Sequence, residues 1–151
     1  MIGDDTFAYR RRLPHLCKDH KTYFVTWVSK DRQVLATTAR DIALRSCRHG
    51  HQLKYWLHCV VVMPDHVHVL ISPFEDVLLA TVIGEMKSAS AHLINRTLQR
   101  SGAVWQAESF DRILRSDEKI VTTAAYILQN PVRRGLVADA LDWPWFWSAF
   151  V

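Results

Sequence analysis

Val60-Val61-Val62-Met63-Pro64-Asp65-His66-Val67-His68-Val69-Leu70-Ile71 is the stretch from which the rest of the chain is read. Two apolar runs flank a Pro64-Asp65 turn, the pattern of a β-hairpin. Side chains alternate along a strand, so His66 and His68 share one face while Val67, Val69 and Ile71 take the other. Two imidazoles side by side on one face of a central strand can hold a divalent cation.

Outward from the hairpin, its first strand runs back from Met63 to about Leu53, and the histidine strand runs on to Ser72. A helix over about Ala39 to His49 precedes it, with Thr38 as N-cap, Asp41 three residues later and Gly50 as the stop. An earlier strand spans Tyr23 to Ser29. After the hairpin, Leu78, Leu79, Val82, Ile83, Met86, Leu93, Ile94 and Leu98 follow a helical period, so a long helix covers about Val77 to Arg100 and Gly102 closes it. A strand over Val104 to Leu114, broken near Ala107, comes next. A last helix starts at Asp117, with Ser116 as N-cap, and Pro131 ends it near Asn130. The order β-α-β-β-α-β plus a C-terminal helix predicts an α+β fold, a ferredoxin-like split βαβ sandwich with its helices on one face of the sheet. That fold hosts many functions and names none.

The 151 residues are enough for one domain with a proper core. Residues 1–151 read as a single unit, with a basic arm over about 1–14 and an aromatic tail over about 138–151. No apolar run approaches a membrane span, and the polar, then basic stretch Met1 to Arg12 lacks the apolar core of a signal peptide. The expected location is the cytoplasm, with no membrane partner. Cys17, Cys47 and Cys59 form no C-x-x-C pair and read as reduced, small apolar residues. The net charge of +4 permits a polyanionic partner without demanding one. Local clusters say more: Arg10-Arg11-Arg12, Arg112 with Arg115, and Arg133-Arg134.

The last helix carries a second chemical signal. Ile120, Val121, Ala124, Ile127 and Leu128 share an apolar face, and Tyr126 lies roughly 160° from its centre. Its neighbours on the outer face are Lys119, Thr122, Thr123 and Asn130. One reading is a surface or interface tyrosine. The other is a nucleophile that attacks phosphorus and forms a covalent phosphotyrosine. A free phenol ionises only near pH ~10, so such a nucleophile needs a polarised phosphate, and a cation on paired histidines provides one.

The run Val61 to Leu70 resembles the His-hydrophobic-His signature of single-tyrosine transposases of the IS200-like type. The run Tyr126-Ile127-Leu128-Gln129-Asn130-Pro131-Val132-Arg133-Arg134-Gly135-Leu136-Val137 is similar to the tyrosine-helix signature of their REP-associated branch. Tyr23 to Ser29, Met86-Lys87-Ser88, Val104-Trp105-Gln106 and Ser109-Phe110-Asp111-Arg112 fall where that family has matching segments. The resemblance covers about residues 8 to 148. Either motif alone is moderately specific; the two in this order are much more so.

The resemblance implies metal-dependent cleavage of single-stranded DNA at short hairpins (REP-like palindromes), the tyrosine joining the 5′ phosphate and freeing a 3′ hydroxyl. Carried over by position, His66 and His68 match the metal ligands, Tyr126 the nucleophile and Asn130 the third ligand, one turn after the tyrosine. Mg²⁺ or Mn²⁺ is the expected cofactor. The sequence departs from the family at Asp65, where asparagine is usual. Asp65 either bears on the choice of metal or caps the turn, and its turn position favours the cap. Asn130 is a weak ligand and precedes proline, which disfavours helical geometry; it can equally be a helix terminator, with Gln129 as substitute. Arg10, Arg11, Arg12, Arg112, Arg115, Arg133 and Arg134 are candidate phosphate contacts, and Lys119 is placed to assist the phenol or touch phosphate. Trp105 is a candidate base platform. Trp143, Trp145 and Trp147 alternate and are expected to pack on the sheet. His58 and His92 read as structural or surface residues.

Other readings stand beside this one. The chain can be a catalytically inactive hairpin or single-stranded DNA-binding protein of the same fold, a metallohydrolase in which water attacks, or a ferredoxin-like protein with buried histidines. IS200-like relatives can work as homodimers, with the tyrosine helix against the partner's histidines, and the REP-associated branch as monomers. The short Ser116-Asp117 segment before the helix leans towards docking in cis. A bacterial, nucleoid-associated setting goes with the resemblance.

Overall fold

The hairpin forms at the expected place. In the computed structural model, which describes residues 21–151, β2 (Tyr55–Val62) and β3 (His66–Pro73) pair antiparallel. Met63 N–H donates to His66 C=O at 2.8 Å and closes the Pro64-Asp65 turn. The carbonyls of that turn are tied down as well. Leu35 N–H reaches Pro64 C=O at 2.7 Å, and Ser29 N–H reaches Asp65 C=O at 2.9 Å. The turn is thus fixed to the end of β1 (Tyr23–Ser29), whose bounds match the reading of the sequence.

Five strands form one sheet in the order β4-β1-β3-β2-β5, every pair antiparallel. Here β4 is Trp105–Ile113 and β5 is Phe146–Ser148. The first four strands have the expected split βαβ order. The fifth was not foreseen: the aromatic tail adds β5 to the outer edge of β2. With both edges of β2 paired and both faces covered, every one of its residues is buried, which explains its near-continuous apolar run.

Helices α1 (Thr37–Arg48) and α2 (Leu79–Thr97) cover one face, packing Ala39, Ile42, Ala43, Val82, Ile83, Met86 and Ile94 on Val25, Trp27, Val60, Val67, Val69 and Ile71. The C-terminal helix lies on the opposite face, the one the histidines share, against Cys59, Val61, Met63 and Leu70. The two helices of the split βαβ unit thus share one face, as expected, and the added C-terminal helix takes the other. The reason is visible in the strands. Cys59, Val61 and Leu70 are apolar on the histidine side too, and that side also needs a cover.

Several ends differ from the sequence reading. Thr38 caps nothing; α1 starts after Ala36 with no side-chain cap, because Leu35 and Ala36 are already held by Pro64 C=O and by Arg40. Gly50 acts by its small size: a Cβ there would sit 2.6 Å from the Tyr55 ring. That closeness lets Gly50 N–H donate to the Tyr55 hydroxyl, which donates in turn to Cys47 C=O at 2.7 Å. Helix α2 stops at Thr97, with the left-handed residue at Gln99 (φ 51), before Gly102 (φ 90).

The last helix is two helices, α3 (Ile120–Leu128) and α4 (Asn130–Arg133). Ser116 is not the cap, because Glu118 folds 115–118 into a separate turn by accepting from Arg115 N–H and from Arg112. Pro131 lies in the first turn of α4 and does not end the run. Its missing N–H interrupts the ladder of α3 and costs nothing at the start of the next helix. The break near Ala107 is real: pairing with β1 slips between Trp27↔Ser109 and Ser29↔Trp105. Lys87 Nζ holds the slipped segment by donating to the carbonyls of Gln106, Ala107 and Glu108 at 2.8, 3.2 and 3.3 Å and to Ser109 Oγ at 3.0 Å.

Trp143 is buried with its indole N–H on Val62 C=O, and Trp145 donates to Asp41 under the Arg40 guanidinium. Cys47 and Cys59 are buried free thiols. Arg10, Arg11, Arg12, Cys17 and the basic arm lie outside the described residues. Among the described residues no helix is long and apolar enough to cross a membrane.

His58 is fully buried between Ser72 Oγ, 2.7 Å away, and the core, and burial pushes its pKa down from 6.5 to about 3. The folded state keeps this ring neutral while the unfolded state protonates it below pH 6.5. Stability is complete above that value and falls as the pH drops towards 3. Between pH 7 and 5 this ring alone removes about 2 kcal/mol. Urea midpoints at the two pH values read the loss, and His58→Asn should flatten that part of the slope; an unchanged slope would contradict the assignment.

Candidate active site

Register places the two histidines. His68 pairs with Thr26 of β1 and His66 with Val28, so Phe24, Thr26 and Val28 share their face. Within that face the rings meet edge to face, centroids 4.7 Å apart, and their Nε2 atoms lie 3.1 Å from each other. Each Nδ1 is occupied. His66 Nδ1 donates to Asp65 Oδ1 at 2.6 Å, and His68 Nδ1 is 2.7 Å from Thr26 Oγ1. Phe24 packs its ring at 72° to that of His68.

This arrangement leaves the two Nε2 atoms as the free donors. A carboxylate on His66 Nδ1–H fixes the tautomer whose lone pair is on Nε2 and raises its basicity. The Thr26 hydroxyl can donate to or accept from His68 Nδ1, so it supports either tautomer of His68. Without a cation, one proton can lie between the two Nε2 atoms; with a cation, Thr26 accepts that proton's counterpart at Nδ1. The donor set therefore fits a divalent ion of imidazole-tolerant type.

Electrostatics keep both rings neutral. Burial, the neighbouring His66 and the guanidiniums of Arg134 and Arg133 push His68 down to about 3. Burial also lowers His66, against the pull of Asp65. Burial would raise the Asp65 carboxyl, but His66 and Arg32 outweigh it and hold it below the usual range. The Asp65–His66 contact is thus a charge-assisted hydrogen bond to a neutral ring. Arg32, with left-handed backbone (φ 55), reaches Asp65 Oδ2 at 3.5 Å.

Asp65 consequently does more than cap the turn, the role its position suggested: its side chain orients a ring. Thr26 and Phe24 were not foreseen either. The signal for Thr26 was present, as the one hydroxyl on the Phe24–Thr26–Val28 face of the strand Tyr23–Ser29. Thr26→Val should weaken Mn²⁺ binding about 10- to 100-fold, whereas Thr26→Ser retains it. Calorimetric titration reads this; equal affinity for the valine variant and the wild type would remove Thr26 from the site.

Tyr126 is 61% exposed on the outer side of α3, as its place on the wheel predicted. The Arg133 guanidinium lies over its ring, 4.0 Å from the centroid, and Arg133 Nη2 donates to Tyr126 C=O at 2.9 Å. Arg133 therefore touches the tyrosine itself, a role beyond the phosphate contact expected of it. Arg134 is exposed and has no ion pair among the described residues. Lys119 is exposed at the N-cap of α3, two turns from Tyr126, with no hydrogen bond between them. Helix α3 packs on β2 of its own chain.

Four candidates sit differently from the sequence reading. Asn130 Nδ2 donates to Ile127 C=O at 2.8 Å, closing the junction of α3 and α4, and no hydrogen bond links Asn130 to either histidine. Among the described residues no group of three or more His, Cys, Asp and Glu is arranged to hold an ion. Trp105 is not an open platform: it is 5% exposed, donates to Ser90 Oγ at 2.9 Å and packs edge-on against Trp27. Arg112 and Arg115 both lean on Glu118, at 2.8 and 3.6 Å, so neither is a free cation. His92 is exposed.

The split βαβ sheet, the paired histidines and the tyrosine helix define a class of DNA-processing proteins, and comparison with known proteins agrees. The family model of the IS200-like transposases matches residues 17–130. The chain belongs to that family and is a transposase, an enzyme acting on DNA. It is similar to a Haemophilus influenzae protein named as a REP-associated tyrosine transposase, with 27% identity over 138 residues, 82% of this chain and 77% of the relative. Its fold matches a solved REP-associated tyrosine transposase bound to a REP hairpin (TM-score 0.66, 24% identity, 83% of this chain and 75% of the other). A Deinococcus radiodurans R1 protein described as a transposase shares the fold at TM-score 0.51 and 22% identity, over 78% of this chain and 91% of the other. Transposases of this family generally use a divalent metal.

Proposed function

We propose that this chain cuts and rejoins single-stranded DNA beside hairpins through a 5′-phosphotyrosine at Tyr126. The observation that carries the reading is the histidine pair, both Nδ1 atoms occupied and both Nε2 atoms turned to each other, on the face covered by the tyrosine helix. The relative solved on a REP hairpin supports the choice of DNA.

In this reading Tyr126 Oη attacks phosphorus in line. The Oη–P bond forms, the P–O3′ bond breaks, the phenolic proton goes to solvent base and the leaving 3′ oxygen takes one up. The number of phosphate ester bonds is unchanged, so rejoining is the reverse reaction and needs no nucleotide cofactor. His66 and His68 would hold Mg²⁺ or Mn²⁺ through Nε2, with Asn130 as the candidate third ligand, and the ion would supply Lewis-acid charge to the phosphate. Asp65 and Thr26 keep the rings oriented. Arg133 holds the tyrosine ring, and Arg134 offers charge to the DNA backbone, joined by Lys119, by Arg10, Arg11 and Arg12 of the basic arm and, where DNA displaces Glu118, by Arg112 and Arg115. Residues 1–151 act as one unit, with Tyr126 and the histidines from the same chain, whether monomeric or dimeric. The place of action is the nucleoid of the bacterial cytoplasm.

The histidine pair has no third His, Cys, Asp or Glu beside it among the described residues, which favours a second reading, a hairpin-binding protein that no longer cleaves. Intact-protein mass after mixing with single-stranded hairpin DNA and Mn²⁺ separates the two. An adduct mapping to Tyr126 supports cleavage; binding without adduct selects the second reading; neither overturns both.

A further inference from the structure

We propose that Phe110 is the platform on which an unpaired base next to the cleaved phosphate stacks, a subsite that rests on the DNA-cleaving reading above. A single exposed apolar side chain is ordinary on a protein surface; the position of this one in the sheet is not. Phe110 pairs with Thr26, and Thr26 pairs with His68. Directly paired residues point to the same face, so Phe110, Thr26 and His68 form one row across β4, β1 and β3. Neighbouring strands are ~4.8 Å apart, which puts the Cα of Phe110 roughly 10 Å from that of His68, a distance a neighbouring nucleotide bridges.

Three further observations point to a base as the occupant. First, α3 packs over the β2 side of the histidine face, and Phe110 lies on the other side, 59% exposed. A strand of DNA entering at the histidines from the open side passes over β1 and β4. Second, Arg112, two residues on and therefore on the same face, is held by Glu118 at 2.8 Å. It places a fixed guanidinium beside the ring, where the sugar-phosphate of a stacked nucleotide would run. Third, β4 has the slipped segment 106–108 just before Phe110, clamped by Lys87. That clamp fixes an edge strand that would otherwise be free to fray, and so holds the ring against the row.

Every base has a π-face, so a phenyl platform adds affinity without reading sequence. Phe110 thus sets how firmly the strand is held at the cleaved position, and sequence is selected elsewhere.

The test uses a DNA hairpin with single-stranded flanks, 2-aminopurine placed in turn at each unpaired position, and the full chain. The wild type is compared with Phe110→Leu, which stays apolar but cannot stack, and with Phe110→Trp, which stacks. Expected are quenching at one flanking position in the wild type and in Phe110→Trp, and its loss in Phe110→Leu with roughly 5- to 100-fold weaker binding. If Phe110→Leu quenches and binds like the wild type, the platform is refuted while DNA binding stands. If leucine and tryptophan are equally damaged, the residue is structural and the platform is again refuted. If the wild type binds no hairpin DNA at all, the reading beneath it falls as well.

Discussion

Tyr126→Phe should abolish the covalent protein–DNA adduct and strand cleavage while leaving hairpin binding and folding almost untouched. The expected loss of cleavage is on the order of 10⁶-fold, the scale reached when a sole nucleophile is removed. The substitution deletes one oxygen and little else. The ring is 61% exposed, so no core packing is lost. Its contact with the Arg133 guanidinium is to the ring face, which phenylalanine keeps. Stability should therefore change by no more than about 0.5 kcal/mol. Denaturing electrophoresis of the protein with labelled hairpin DNA reads the adduct, and fluorescence anisotropy reads the binding. Cleavage that survives in Tyr126→Phe would show that water is the nucleophile and that the histidines serve a metallohydrolase.

His68→Ala should abolish the stabilisation that Mn²⁺ gives the wild type. An ion that binds only the folded state at a hundred times its Kd adds about 2.7 kcal/mol. For a chain of this size that raises the melting temperature by roughly 5–10 °C. Removing an imidazole leaves one nitrogen donor on His66, and affinity should fall about 100-fold or more, beyond the usual cost of losing an outer-shell partner. The metal-free variant also loses the Thr26–His68 hydrogen bond, at a cost of about 1–3 kcal/mol. Thermal melts with and without Mn²⁺ separate the two effects, and His92→Ala, at an exposed histidine, is the control. A wild-type Mn²⁺ shift in His68→Ala would remove the pair from metal binding.

Much of this site was legible before any coordinates. Strand alternation puts His66 and His68 on one face whatever packs around them, and helical periodicity turns Tyr126 away from Ile127 and Leu128. Both are local consequences of backbone geometry. Pairing across strands is not local. Thr26 and Phe110 are far from His68 in the chain, and only the register of β1 between β3 and β4 brings the three into a row. Trp105 shows the opposite case. As an aromatic in a strand it was open to a role in binding, and the burial of its ring behind α2, with its N–H on Ser90, decided against that.

The cap and terminator signals were also read from single residues, and each end lies elsewhere. Thr38, Ser116 and Pro131 each carry the right chemistry for a helix end. The ends lie elsewhere because other contacts hold the backbone there: Pro64 C=O holds Leu35, Glu118 gathers Arg112 and Arg115, and Pro131 fits the start of α4. Similarly, the aromatic tail was expected to pack on the sheet, and its pairing as β5 depended on a free edge that only the completed sheet offers.

By itself, then, the sequence determined the order of the first four strands and the helices between them, the shared face of His66 and His68 and the outward turn of Tyr126, because each follows from a period of two or 3.6 residues along one segment. The tertiary structure alone decided that the tyrosine helix covers the histidine face and that Thr26 orients the His68 ring. These depend on which hydrogen-bonding groups and apolar faces remain unpaired once the sheet has formed, a property of the whole fold that no single segment carries.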